Sequence, residues 1–242
     1  MNERYEERLE ELLIEKEDNE DKLYWASMQG NVEEVKILLY DHKVDVNSIA
    51  GPNKYTPLIL AARQGHHEIM RILINAEADI EGADKSGNTS LYWATWADQI
   101  ISVKILLTAS ANPNNCNKVG QTPLHWSGSK QVAKLLIEHG ADPNRADIKG
   151  KTPLHMEVDH DTPPDGDLIQ ALIEGGADPN TADNTGITPF HMAVNHPTAT
   201  RKEELIRILI KGGADPDKRD ISGKSLIIML EEMGLDIDVL SK

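Results

Sequence analysis

The chain has 242 residues, with 25 Lys+Arg against 40 Asp+Glu, one Cys and few aromatic residues. A formal net charge of −15 argues against a nucleic-acid backbone or membrane insertion as the main business, because nucleic acids and anionic bilayers demand clustered Lys/Arg. It favours a protein partner with a basic or apolar surface. Cys116 has no second cysteine to pair with, the charged start lacks a signal-peptide core, and no stretch approaches roughly 18 apolar residues. The expectation is a cytoplasmic monomer, with the nucleus as the alternative location.

Taken in chain order, residues 1–18 place Tyr5, Leu9, Leu12 and Leu13 on one helical face. An acidic amphipathic helix is expected there, serving as a cap or as a docking element. Residues 21–47 follow the plan of the later units without their Thr-Pro signal. Thereafter TPLI starts at Thr56, TSLY at Thr89, TPLH at Thr122 and Thr152, TPFH at Thr188, and a weakened SLII at Ser225. The intervals are 33, 33, 30, 36 and 37 residues. A second landmark shares that period: NAEADIE, TASANPN, IEHGADPN, IEGGADPN and IKGGADPD, beginning at 75, 108, 137, 173 and 210.

These paired motifs resemble the ankyrin repeat family over about residues 20–235. The resemblance implies an all-α solenoid of stacked helix–turn–helix units with β-turn fingers projecting from one edge. The expected units are 19–50, 51–83, 84–116, 117–146, 147–182 and 183–219, with a C-terminal cap at 220–242. Elementary chemistry supports that plan. Thr caps a helix and Pro suits its first turn. Stripes such as Ile69, Ile72, Leu73 and Leu168, Leu172, Ile173 suit a buried second helix. Gly140, Gly176 and Gly213 end that helix, and Asp-x-x-Gly at 84–87, 147–150, 183–186 and 220–223 supplies a turn.

Three departures stand out. The unit at Thr122 is short, with Gly128 expected to weaken its helix. Glu157 occupies a place filled elsewhere by buried Ala, and is expected to reach water or a cation through a gap that bends or loosens the stack between 122 and 165. The stretch 195–204 carries extra residues.

His125, His155 and His191 recur once per unit, which the resemblance reads as structural. Asp159, His160, Asp161, Asp165 and Asp167 are the one local cluster of hard ligands, and they match no EF-hand spacing. No phosphate-cradling loop or nucleophile constellation is present, so neither a catalytic residue, a cofactor nor a metal is expected. An enzyme or metal-binding protein using 159–167 is the remote alternative.

Function then rests on the surface, and the resemblance implies a protein-binding adaptor or scaffold that grips its partner on a concave face. An inhibitor or effector that occludes an enzyme or host protein is the alternative. Positions two, five and six after the first-helix Leu share one face. They hold Trp25, Met28, Arg63, Gln64, Trp93, Trp96, Trp126, Met156, Asp159 and His160, and the finger tips add Lys118 and Lys149. Trp93, Trp126 and Met156 equally suit packing between adjacent helices. The Asn residues closing the repeats, Asn47, Asn114, Asn144 and Asn180, match a place that is hydroxylated in some family members.

Overall fold

The computed structural model describes residues 19–159, 165–195, 202–219 and 223–232. The expected helix at 1–18, His160, most of the 195–204 stretch and the acidic tail lie outside the described residues. Those described are helical, with isolated bridges Ala50–Tyr55, Ala83–Thr89 and Arg219–Ser225. The helices are α1 (residues 19–29), α2 (Val32–Tyr40), α3 (Pro57–Gln64), α4 (His67–Asn75), α5 (Ser90–Trp96) and α6 (Ile100–Thr108). A 3₁₀ turn (Pro123–Trp126) follows, then α7 (Lys130–Glu138), α8 (Pro153–Val158), α9 (Gly166–Glu174), α10 (Pro189–Asn195), α11 (Lys202–Lys211) and α12 (Leu226–Glu232). They fall into two compact halves, residues 1–118 and 119–242. In the first, α3 packs on α5, and α4 on both α2 and α6; in the second, α8 packs on the 3₁₀ turn and α10, and α9 on α7 and α11. First helices meet first helices and second helices meet second helices, as the repeat plan requires.

The repeated residues produce this packing locally. Thr56 and Thr89 cap α3 and α5, their hydroxyls accepting from the N–H groups of Ile59 and Tyr92 at 3.2 and 3.3 Å. Leu58, Ala61 and Ala62, like Leu91 with Ala94 and Phe190 with Ala193, are almost wholly buried, the small residues permitting close approach of neighbouring helices. The second-helix stripe is rotated slightly from the expected one. Ile69, Met70 and Leu73 are buried in α4, and Leu168, Ile169 and Leu172 in α9, while Ile72 and Ile173 stay half-buried.

At Thr122 and Thr152, where His follows three residues later, the imidazole ties two repeats together. The Thr122 and Thr152 N–H groups donate to Nδ1 of His125 and His155 at 3.1 Å. An Nδ1 that accepts leaves the ring proton on Nε2, which donates to the carbonyls of Lys151 and Ile187 at 3.1 and 3.0 Å. Burial holds both imidazoles below their ordinary pKa, so the neutral form this geometry needs is the one present. The first half has Ile59 and Tyr92 at this place. Burial pushes the Tyr92 hydroxyl up to about 12, and its side chain bonds Asn117 of the next finger.

Fingers interlock through the backbone: Lys85 N–H donates to Asn53 O and Lys118 N–H to Ser86 O in the first half. Ile148 N–H donates to Val119 O and Asn184 N–H to Lys149 O in the second. In the fingers at 84–87, 147–150 and 183–186 the Asp of Asp-x-x-Gly folds the turn, Asp147 Oδ1 accepting from the N–H groups of Lys149 and Lys151. The Asn144 and Asn180 amides accept from Asp178 and Asp215 N–H and donate to Gly176 and Gly213 O, so the repeat-ending Asn is a stacking clamp. Glu81 does the same work in the first half, its carboxylate taking Asn112 N–H and the Asn115 amide.

Among the described residues the expected loosening between 122 and 165 is absent. The finger bond from Ile148 to Val119 and the bridge from His125 to Lys151 match their counterparts one repeat later. Shortening is absorbed by replacing an α-helix with a single 3₁₀ turn, closed by the Ser127 hydroxyl donating to Leu124 O at 3.1 Å. Gly128 lies beyond that turn, so it imposes no helical penalty. Nor does Glu157 meet a cation among the described residues. Its carboxylate is half-buried and accepts the Asp165 N–H, at the cap of α9, at 2.8 Å. Desolvation, partly offset by that bond, pushes its pKa up to about 7.

Two predictions follow from strain and burial. Gly140, Gly176 and Gly213 adopt φ of 90°, 98° and 91°, but Glu77 and Ser110 occupy the same place at 64° and 68°. Glu77→Gly and Ser110→Gly each raise unfolding stability by about 0.5–1 kcal/mol, and Gly140→Ala lowers it comparably, as read from urea midpoints. For Glu157 the folded chain holds a proton that the unfolded chain releases between pH 4.5 and about 7. Stability therefore falls as pH rises through that window. Glu157→Gln should match wild type near pH 4 and exceed it by about 2–3 kcal/mol at pH 8; a gap that does not change with pH would show the carboxyl is not desolvated.

Candidate protein-binding face

The first helices of the N-terminal half build one continuous aromatic surface. Tyr55, Ile59 and Leu60 form a buried cluster against which Tyr24, Met28 and Trp93 pack. Trp25 meets Tyr24 edge to face at a centroid distance of 5.2 Å. Trp93 stands edge to face with Tyr55 at 5.6 Å, Tyr92 at 5.7 Å and Trp96 at 5.6 Å. Its indole N–H donates to Asp84 Oδ2 at 3.0 Å, and the same carboxylate accepts from the Asn88 amide and from the Ser86 and Asn88 N–H groups. Trp93 is thus half-buried mortar fixed to a finger aspartate. Trp96 and Trp25 stay 47% and 52% exposed.

Arg63 completes the surface. Its guanidinium carbon lies 4.8 Å from the Trp93 ring centroid and 5.3 Å from that of Trp96. The two indoles are inclined at 74°, so they make two walls of a corner that the guanidinium occupies. Such cation–π contacts contribute about 0.5–2 kcal/mol, depending on desolvation. Met28, Arg63, Trp93 and Trp96 are therefore brought together, with Trp25 joined through Tyr24, while Gln64 at the end of α3 is exposed.

The remaining expected residues lie elsewhere. Lys118 is exposed on a finger of the N-terminal half. In the C-terminal half Trp126 is half-buried and donates its indole N–H to Gln121 Oε1 at 2.9 Å. Met156 is half-buried, Lys149 is exposed, and Asp159 is paired with Lys151. Asp165 caps α9 by accepting from Asp167 N–H at 2.9 Å. Among the described residues no group of three or more His, Cys, Asp or Glu could hold a metal ion. Sequence reasoning missed Tyr24, Tyr55 and Asp84. Their signals were available: Tyr55 immediately precedes a helix cap, and Asp84 opens the finger nine residues before Trp93.

Comparison with known proteins decides the family. The model for three copies of ankyrin repeats matches residues 23–115 and 100–162, and the single ankyrin repeat model matches 185–221. This chain belongs to the ankyrin repeat family. Cortactin-binding protein 2 of Rattus norvegicus is 39% identical over 69 residues, 28% of this chain and 4% of that protein. The Mus musculus protein is 38% identical over 64 residues, 26% of this chain and again 4% of its relative. The matches thus span a small part of those longer proteins. Among solved structures the ankyrin repeat domain of Bcl-3, described as a unique member of the IkappaB protein family, aligns with a TM-score of 0.74 at 25% identity. That alignment covers 86% of this chain and 92% of the Bcl-3 chain. Ankyrin repeats generally mediate protein–protein interaction and are typically non-enzymatic. No helix among the described residues is long and apolar enough to cross a membrane.

Proposed function

We propose that this ankyrin-repeat protein is an intracellular adaptor or scaffold, and that it binds a protein partner through the first-helix face of its N-terminal half. Support comes from one observation above all: a chain poor in aromatics concentrates Tyr24, Trp25, Trp93 and Trp96 on neighbouring first helices, with Tyr55 at the entry to α3 and two of the tryptophans about half exposed. Trp, Tyr and Arg are the residue types that dominate interface hot spots. The cytoplasm is the proposed location, consistent with a lone cysteine that needs no oxidising compartment. Binding requires no reaction, only rigid presentation of this surface.

Affinity capture from the native cell tests the reading, using wild type against the double variant Arg63→Glu/Trp96→Ala. The two proteins are first shown to melt within about 2 °C of one another. At least one captured protein should fall about tenfold or more with the variant, and the purified pair should lose affinity to the same extent. Partners retained equally by both proteins would remove the site from this face.

A further inference from the structure

We propose that the corner formed by Arg63, Trp93 and Trp96 reads a carboxylate side chain of the partner, an Asp or Glu flanked by an apolar residue. This deepens the binding-face reading and rests on it. Arg63 is half-buried, yet among the described residues its guanidinium makes neither a hydrogen bond nor an ion pair; its only specific contacts are the two indoles. A guanidinium carries five N–H donors in a planar fork that matches a carboxylate with two parallel bonds. Indole faces orient that fork without satisfying its donors. Holding it there in advance lowers the side-chain entropy lost when an acceptor arrives.

Charge selects a carboxylate over a phosphate. Arg63 is the sole base on α3 and α5, and the Asp84 carboxylate lies directly behind Trp93. A single cation backed by an acid suits a monoanion better than a phosphate, which carries about −1.5 to −2 at neutral pH. The flanking residue is set by what borders the corner: the exposed Trp96 ring on one side, and Met28 with the Tyr55–Leu60 cluster on the other. The net charge of −15 repels acidic partners at long range, so selection depends on this short contact rather than on steering.

Selection from a randomised heptapeptide display library on the full chain tests the proposal, run in parallel on wild type, Arg63→Gln and Trp96→Ala after melting curves confirm that all three fold. Wild type should enrich peptides with Asp or Glu beside an aliphatic or aromatic residue. Arg63→Gln should lose the acid preference, and Trp96→Ala should lose the whole class. A recovered peptide is then titrated against its Glu→Gln or Asp→Asn counterpart. Wild type should discriminate by about tenfold, Arg63→Gln by less than about twofold, and Arg63→Lys by an intermediate factor.

Acid preference that survives Arg63→Gln overturns the carboxylate readout. So does enrichment on wild type of peptides without an acid, or tighter binding of the same peptide carrying phosphoserine in place of its acid. In each of these cases loss of binding with Trp96→Ala still preserves the face. Equal recovery on all three proteins, or no enrichment at all, overturns the proposal and speaks against the face as well.

Discussion

The side chain three residues after a repeat's threonine supplies one tie between that unit and the next, beside the finger bonds and the asparagine clamps. A helix pair of this size cannot bury its apolar stripe alone, so stability comes from nearest-neighbour contacts. A polar tie in such a junction must be fully satisfied or it weakens what it joins. Neutral imidazole meets that condition at His125 and His155 in the second half. Its Nδ1 accepts from the capping threonine's own N–H, and its Nε2 proton reaches the following repeat. One ring thereby closes a helix cap and a repeat junction together.

The first half departs from this device, and its aromatic surface follows from the departure. Ile59 has no polar atom to send across, and Tyr92 reaches the next finger with a longer phenol. The junctions near α3 and α5 must then be filled by volume, which Tyr55, Trp93 and Met28 supply. Aromatic packing of that kind leaves ring faces and edges at the surface, where an imidazole bridge would leave none. Trp96 and Arg63 build outward from the face so created.

Much of this was legible in the sequence because the repeat states each local rule several times. Thr caps, buried Leu and Ala, left-handed glycines and Asp turns depend on residues a few positions apart, and local chemistry determines them. The shared face of Met28, Arg63, Trp93 and Trp96 was legible for the same reason, since helical spacing alone places them. What could not be read was conformation across repeats. Helical position does not tell whether Arg63 lies along its own helix or leans onto the next, because both are reachable by a long side chain. Asp84 looked like a turn residue and nothing more, yet its second oxygen fixes an indole nine residues away. Glu157 misled for a related reason: a missing turn suggested a gap, whereas the chain tightened to a 3₁₀ turn and the carboxylate met an N–H at the next helix cap.

Arginine at position 63 does what lysine would not. An ammonium beside two indoles keeps a strong hydration shell, and its point charge has no plane to align with the ring walls. A guanidinium is weakly hydrated and flat, so it tolerates half-burial in the corner while its edge stays available for hydrogen bonding. In a chain with so large an excess of acids, surface cations are readily neutralised by their own neighbours, as Lys151 is by Asp159 and Lys134 by Glu174. Arg63 escapes that fate because α3 and α5 contain no acid and Asp84 already takes four N–H donors. Among the described residues no internal acceptor takes the guanidinium, which is the arrangement that leaves a charged donor for another molecule.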